Sequence, residues 1–162
     1  MAKGSSNNKP AANEPTVENR KARHTYAIGD TLECGIKLLG TEVKSVRAGR
    51  ISIGEGFVIA TEEPPSLILL NVHIDEMQRS AASTYRPTQT RTLLAHKREI
   101  RKLARASQAK GITLVPLKVY FKGGRVKILI GVGTGKKQHD KREDIKKRDV
   151  ERDIRRVMSK RM

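Results

Sequence analysis

The carboxyl-terminal segment, residues 135–162, carries the side chains with the clearest chemistry. It contains 12 Lys or Arg and six Asp or Glu residues, and cationic side chains at this density bind the phosphates of a polyanion. Val150, Ile154, Val157 and Met158 recur at the spacing of one helix face. So thin an apolar face cannot bury a core by itself. We therefore predict a basic tail that becomes helical against a polyanionic surface.

Charge pairs along this segment also favour a helix. Asp144 precedes Arg148 by four residues, and two further acid–base pairs have the same order and spacing. This spacing places opposite charges on neighbouring turns, and each pair contributes about 0.2–0.5 kcal/mol. The pattern predicts that Asp144 pairs with Arg148 within the tail.

The chain as a whole is strongly basic. Its 162 residues carry a formal net charge of +17 and a pI near 10.4, which is typical of a nucleic-acid binder. A basic surface that serves solubility alone is the plainer alternative. The single cysteine, Cys34, excludes an internal disulfide and a cysteine-based zinc site, and fits a reducing compartment. With no apolar run of membrane length and no apolar signal core, we expect a cytoplasmic protein.

Two kinds of catalytic or cofactor motif can be set aside. GVGTGKK at 131–137 resembles a phosphate-binding loop, but three residues rather than four separate its outer glycines and no Ser or Thr follows the first lysine. We interpret it as a flexible glycine hinge that leads into the tail. The four histidines do not pair at metal-ligand spacing, and no nucleophile motif is present. The sequence therefore predicts no metal, no cofactor and no enzymatic activity.

Strand and turn patterns dominate the middle of the chain. Strands are predicted at 31–39, 51–61, 66–74, 112–121 and 125–132. A Gly-Gly hairpin joins the last two. A short helix at 40–49 is expected to be capped by Thr41 and stopped by Gly49, and a long helix to run from Thr90 to Gly111. This order predicts a mostly β fold with α elements, a small oligonucleotide-binding-type β-barrel with accessory helices; an open α+β sheet is the alternative.

The aromatic residues indicate how nucleic acid is bound. The chain has five, and no Trp. Phe57 and one of Tyr120 and Phe121 are needed for the core, because adjacent strand residues face opposite ways. Too few rings remain to stack on successive bases of a single strand. Folded RNA, bound through its shape, phosphates and 2′-hydroxyls, suits this inventory better.

The candidate RNA contacts lie mainly in two basic stretches, one before the barrel and one in the long helix. The cationic and histidine candidates are Arg20, Lys21, Arg23, His24, Lys44, Arg91, His96, Lys97 and Arg98. Glu33 and Glu42 are acidic residues in basic surroundings. An ordinary ion pair is the plainer interpretation of each; acceptance of hydrogen bonds from base amino groups or ribose hydroxyls is the functional one.

Five segments carry a specific resemblance to a known family. They are ENRKARHTYAI, ECGIKLLGTEVKSVRAGR, TRTLLAHKREI, GITLVPLKVYFKGGRVKILIGV and GKKQHDKREDIKKRD, in this order. Together they closely resemble the small protein B family, the bacterial protein partners of transfer-messenger RNA. The resemblance extends from about residue 19 to the carboxyl terminus, and GTEVKS and GKKQHDKR are its most specific blocks.

The resemblance implies a fold, partners and a division into three parts. We expect a flexible arm at 1–18, an RNA-binding barrel at 19–134 and a basic tail at 135–162, in a monomeric protein. The barrel would bind the tRNA-like domain of transfer-messenger RNA, which links it indirectly to alanyl-tRNA synthetase and elongation factor Tu. The tail would become helical in the small-subunit decoding centre and the empty mRNA channel. Stalled ribosomes would thereby be recognised and rescued by trans-translation.

The resemblance also implies roles for individual residues. Glu33, Leu94 and His96 match RNA-binding positions, and His96 stands where some members have Asn, which favours a hydrogen-bonding role. The tail residues that match the decoding-centre segment and the distal helix are Gly135, Lys136, Lys137, His139, Asp140, Lys141, Arg142, Val157 and Met158. Val150 stands where some members carry Trp, so the apolar contact of this tail is expected to be weaker or differently placed.

Two other functions remain open on the residues alone. A ribosomal protein or a ribosome-associated translation factor with the same barrel would bind the ribosome without a bound small RNA. An RNA-modifying enzyme would need a cofactor or metal site, which the sequence does not predict. Sequencing the RNA that copurifies with the protein distinguishes these functions.

Overall fold

Nine strands and four helices make up residues 14–76 and 84–159, which are the residues described by this computed structural model. The strands are β1 Val17–Glu18, β2 Tyr26–Ile36, β3 Ile51–Ser52, β4 Phe57–Thr61, β5 Ser66–Leu70, β6 His73–Ile74, β7 Arg91–Leu94, β8 Ile112–Lys122 and β9 Arg125–Gly135. The helices are α1 Arg20–Thr25, α2 Gly40–Arg47, α3 Lys97–Ser107 and α4 Gln138–Ser159. Most of the predicted arm, residues 1–13, lies outside the described residues.

Six strands form a closed barrel. They follow the order β8-β4-β5-β7-β2-β9, and β9 pairs back onto β8. Neighbouring strands are antiparallel throughout, and β4 reaches β8 through the single pair Val58–Leu114. The short β1 pairs with β8 farther along, at Val119 and Lys118. Each of the six strands thus has a neighbour on both sides for at least part of its length, which confirms the predicted barrel over the open α+β sheet.

The core fills the barrel and extends under α3. Alternate strand residues face inward, so Leu67 and Leu69 on β5 and Ile128 and Ile130 on β9 are buried. The apolar face of α3, which includes Leu103, packs against β4 and joins the same core. In the described part of the chain, no helix combines the length and the apolar character needed to cross a membrane.

Turns follow the glycine signals, although two of the predicted strands are divided by turns, one at a glycine and one at an asparagine. The β8–β9 hairpin turns at Gly123 and Gly124, whose φ values of 61° and 71° favour glycine. A turn at Gly54 separates β3 from β4, so the predicted strand 51–61 is two strands. The predicted strand 66–74 is likewise divided into β5 and β6 around Asn71, which has a positive φ of 55°.

The predicted long helix is in fact two elements. Residues Arg91–Leu94 form β7, because Arg91 and Leu93 face inward while Thr92 and Leu94 face outward, which is the period of a strand. The helix α3 begins only at Lys97, after His96, whose backbone N–H donates to Glu99 at 3.0 Å. Thr90 therefore does not begin a helix, and the longest helix of the described chain is α4.

The short helix α2 lies where it was predicted, but its cap is different. Leu39 precedes it, and the backbone N–H of Leu39 donates to Glu42 Oε2 at 2.9 Å. Thr41 lies inside the first turn and is not the cap. Gly49, with φ of 75°, follows the helix as expected. The helix α1, which the sequence pattern did not predict, is capped by Asn19, whose side chain accepts from Ala22 N–H at 2.9 Å.

A buried ion pair joins α2 to β7. Arg91 and Glu42 are 3% and 2% exposed, and Arg91 Nη2 lies 2.7 Å from Glu42 Oε1. Arg91 also donates to the carbonyl oxygens of Val72 at 2.7 Å and Pro87 at 2.9 Å. Glu42 accepts from Gln89 Nε2 at 2.9 Å. One pair of charges therefore holds together α2, β7 and the segments on either side of residues 77–83.

Replacing Glu42 by Ala should lower the free energy of unfolding by about 3–5 kcal/mol, because it leaves Arg91 as a buried charge without its partner. Urea unfolding followed by circular dichroism measures the change. Asp30→Ala is the control: it breaks a 3.0 Å pair with Lys102 in which both side chains are more than 70% exposed, and such pairs contribute about 0–1 kcal/mol. Equal losses in the two variants would contradict a special role for the buried pair.

The same pair should make the fold sensitive to acid. Burial by itself raises the pKa of Glu42, but hydrogen bonds from Leu39, Gln89 and Arg91 outweigh it and hold the pKa below its ordinary value. The stabilisation is therefore present above the unfolded-state pKa and is lost as the pH falls through the folded-state value. Glu42→Gln should show a shallower loss of stability on acidification than the wild type.

Candidate nucleic-acid interface

The outer face of four neighbouring strands gathers the first group of candidate residues. Leu94 on β7 lies opposite Gly35 on β2, Gly35 pairs with Lys127 on β9, and Lys127 pairs with Tyr120 on β8. Glu33 lies two residues from Gly35 and shares its face. We name this surface the barrel-face site; its residues are Glu33, Leu94, Tyr120, Lys122 and Lys127.

Glu33 is held in a defined orientation at this site. Its Oε2 accepts a hydrogen bond from the Tyr120 hydroxyl, and Lys122 Nζ lies 3.1 Å from its Oε1. The hydrogen bond from Tyr120 is the main reason that the pKa of Glu33 lies below its ordinary value; burial opposes it and Lys122 adds to it. Burial and the neighbouring carboxylate raise the pKa of Tyr120 to about 12. The Glu33 carboxylate is thus ionised and keeps lone pairs for further donors.

Leu94 presents an apolar contact beside this carboxylate. Its side chain is 57% exposed, although a strand residue of this size is more often covered. It borders an open cleft of about 360 Å³ between α2 and the β8–β9 hairpin, whose walls include Val43 and whose rim includes Arg125 and Lys127. Apolar walls with cations at the rim suit a base or ribose face whose phosphates lie outside the cleft.

Exposed cations lie directly beside Leu94. Lys97 and Arg98 occupy the first turn of α3, and His96, which precedes it, is also exposed. Farther along α3, Lys102 and Arg105 are paired with Asp30 and Glu62. Lys44, on α2, is exposed as well. The start of α3 therefore extends the barrel-face site with positive charge.

The second basic stretch lies at the other end of β2. Arg20, Lys21 and Arg23 are exposed on α1, and His24 is half-buried there. Because β2 runs from Tyr26 to Ile36 at about 3.3 Å per residue, this group lies about 23–30 Å along the strand from the barrel-face site. Lys21 is paired with Glu55. The structure thus separates the two basic stretches and does not merge them into one patch.

The glycine-rich segment before the tail is a strand and not the predicted hinge. Gly131 and Gly133 lie within β9, which continues to Gly135. A Cβ atom at Gly131 would stand 2.8 Å from Leu117 Cδ1 and 2.9 Å from Ile28 Cγ2. Glycine is needed there because side chains of the two neighbouring strands fold over the backbone of β9.

The tail forms the helix α4. Lys137, Asp140 and Arg142 are exposed and Lys141 is half-buried, while the side chain of His139 lies outside the described part of the chain. Val157 and Met158 are 61% and 69% exposed. Two tail candidates belong elsewhere: Gly135 ends β9, and Lys136 lies in the joint between barrel and tail. Binding of this helix to a ribosome stays a prediction.

Two candidates face the interior. Glu42 and Arg91 were predicted to contact RNA, and their burial corrects this, because both side chains are turned inward and bonded to each other. Tyr120, Lys122 and Lys127 were missed as site residues. The signal for Tyr120 was present: Phe121 is buried, so its neighbour on the strand must face outward.

Comparison with known proteins identifies the family. The family model described as SmpB protein matches residues 16–160. The chain belongs to the SmpB family. Within that family, the SsrA-binding protein of Leuconostoc mesenteroides is 56% identical over 138 residues, which are 85% of this chain and 88% of the relative. That of Microcystis aeruginosa is 51% identical over 145 residues, 89% of this chain and 93% of the relative.

A solved SmpB-family structure supports the same assignment. It is described as "tmRNA-SmpB: a journey to the center of the bacterial ribosome" and superposes with a TM-score of 0.64 at 41% sequence identity. The match covers 81% of this chain and 94% of the solved chain. It confirms the oligonucleotide-binding-type barrel and the family that the sequence segments indicated.

Gly131→Ala should destabilise the fold by about 1–3 kcal/mol, because the added methyl group overpacks the contact with Leu117 and Ile28. Thermal or urea unfolding measures the difference. Gly135→Ala is the matched control on the same strand, since a Cβ there meets nothing within 4 Å. Equal destabilisation of the control would show that close packing does not explain the glycine at position 131.

Tyr120→Phe should raise the pKa of Glu33 toward its ordinary value, because it removes the hydrogen bond that lowers it most. Carboxyl-carbon NMR titration of Glu33 measures this directly. Tyr26→Phe, which leaves the Glu33 hydrogen bonds in place, serves as the control. An unchanged Glu33 pKa in Tyr120→Phe would mean that Lys122 alone holds the carboxylate.

Proposed function

We propose that this chain binds the SsrA RNA, transfer-messenger RNA, through the barrel-face site and acts with it on the ribosome in trans-translation. The SsrA-binding relatives and the tmRNA–SmpB neighbour support the choice of RNA. The protein then works in the cytoplasm, where ribosomes translate, and by binding rather than by catalysis. It reaches alanyl-tRNA synthetase and elongation factor Tu only through the RNA.

The observation that carries this proposal is the combination of groups on the barrel face. Glu33 offers an oriented acceptor, Leu94 an exposed apolar contact and Lys127 a neighbouring cation. These three groups suit folded RNA, which presents base or ribose donors, base faces and phosphates. A surface that served solubility alone does not require an exposed Leu94 beside an oriented Glu33.

The tail is proposed to meet the ribosome while the barrel holds the RNA. Lys137 directly precedes α4, and Asp140, Lys141 and Arg142 lie on its first turns, where the cations can pair with ribosomal RNA phosphates. The exposed pair Val157 and Met158 supplies an apolar contact at the far end. Because they are separate, the barrel-face site can bind transfer-messenger RNA while α4 binds the ribosome.

Replacing Lys97 and Arg98 together by Ala should weaken binding of an RNA that contains the tRNA-like domain and make the salt dependence shallower. Each lost phosphate contact reduces the slope of log K against log salt by roughly 0.7–0.9. Filter binding at several salt concentrations measures both effects. The matched control is Lys146→Ala with Lys147→Ala on α4, which removes the same charge and should leave RNA affinity within a few-fold.

Removal of the tail should affect ribosome rescue and not RNA binding. A chain that ends at Gly135 should keep most of its RNA affinity and lose peptide tagging on ribosomes with truncated message. Loss of RNA affinity by orders of magnitude in this truncated chain would refute the division of labour. If the variant at Lys97 and Arg98 and the variant at Lys146 and Lys147 lost equal RNA affinity, net charge alone would account for binding.

A further inference from the structure

Lys136 occupies the joint between barrel and tail. It directly follows β9 and stands two residues before α4. Its backbone N–H donates to the carbonyl oxygen of Thr25 at 3.1 Å. Its ammonium group donates to the carbonyl oxygen of Arg23 at 3.0 Å and lies 2.5 Å from Asp144 Oδ2. A single side chain thereby connects α1, the end of the barrel and the second turn of α4.

This ion pair is more enclosed than an ordinary surface pair. The side chains of Lys136 and Asp144 are 17% and 34% exposed, whereas those of Lys21 and Glu55 are 65% and 77% exposed. The Arg23 carbonyl lies in the last turn of α1, where helix carbonyls lack partners and favour a cation. An ammonium group has three donors, so Lys136 can satisfy this carbonyl and Asp144 together.

The pairing differs from the one that local spacing predicts. Asp144 stands four residues before Arg148, yet its hydrogen bond goes to Lys136 across the joint. That bond is the main reason that the pKa of Asp144 lies below its ordinary value; burial opposes it, and Arg148 contributes through its charge alone. The carboxylate that could have stabilised the helix internally is used to attach the helix to the barrel.

A helix attached at two points has a fixed direction, whereas a helix attached at one point can rotate about it. The chain itself joins α4 to β9 at Lys136, and Asp144 holds the helix about 10 Å farther along at 1.5 Å per residue. From Asp144 to Met158 the helix continues for about 21 Å, and its apolar residues Val150, Ile154 and Val157 are exposed. Any change of angle at the joint is therefore amplified at the far end.

We propose that Lys136 and Asp144 are positioning residues that set the direction in which the tail helix leaves the barrel. Their role in ribosome rescue rests on the proposed function; the geometric claim does not. In this view Lys136 is not itself a contact for RNA phosphates, because its ammonium group is already engaged. The ion pair presents the tail at a defined angle to the barrel-face site.

Distance measurements between spin labels test the geometry in the full-length chain. Labels at Gln108→Cys, at the end of α3, and Arg155→Cys, on α4, report the helix direction, and the fully buried Cys34 does not compete for the label. We expect a narrow distance distribution in the wild type, its loss in Asp144→Asn, and its retention in the conservative variant Asp144→Glu.

Asp149→Asn is the matched control. It removes the same charge from α4, and its partner is Arg152 within the helix, at 3.6 Å. Its distribution should stay narrow. A wild-type distribution as broad as that of Asp144→Asn, or equal broadening in Asp149→Asn, would overturn the proposal.

Tagging assays separate this inference from the proposed function. Asp144→Asn should leave affinity for transfer-messenger RNA unchanged and slow peptide tagging roughly three- to tenfold, because only a fraction of its helix orientations are competent. Normal tagging despite a broadened distribution would overturn the positioning role. If the wild type failed to bind transfer-messenger RNA, the proposed function would fail while the distance result still decided the geometric claim.

Discussion

The fold depends most on one non-local interaction, the buried pair of Glu42 and Arg91. The two charges are 49 residues apart in sequence and would each be costly to bury alone. Together they fix α2 against the start of β7. Leu94 follows three residues after Arg91, and His96 two residues later, so the exposed end of the barrel-face site is set by the strand that this pair holds in place.

Because the chain carries a net charge of +17, where its carboxylates stand matters as much as where its cations stand. Glu42 neutralises a buried guanidinium, Glu33 is oriented by Tyr120 and Lys122, and Asp144 is held by Lys136. Glu42 and Glu33 join elements that are distant in sequence, and Asp144 joins α4 to the residue that follows β9. Cations such as Lys97 and Arg98 are left exposed on the surface. The acidic residues thus hold structural elements together, and the exposed basic residues supply the affinity for polyanions.

Local features could be predicted from the sequence and long-range ones could not. The Gly-Gly hairpin and α2 follow from turn residues and helix signals within a few positions. The early start assigned to the long helix was wrong because β7 is defined by its partners on β2 and β5, which no local pattern reveals. Glu42 and Arg91 were wrongly predicted to lie at the surface for a similar reason. A charged residue is predicted to be exposed unless its buried partner is known. The predicted glycine hinge was wrong because Leu117 and Ile28, which cover Gly131, lie on other strands and are not evident from the local sequence.

The strand β2 explains how one small barrel can serve two surfaces. Its first residue, Tyr26, pairs with Gly135 immediately before the tail, and Gly35, near its other end, pairs with Leu94. Along its length β2 pairs with β9, from Tyr26 to Gly35 with one irregularity between Ile28 and Thr31, and this pairing sets the distance between the two ends. The remaining freedom lies at the joint after Gly135, where Lys136 and Asp144 meet. The relation between an RNA held at the barrel face and the far end of α4 therefore depends on one ion pair and on the pairing of β2 with β9.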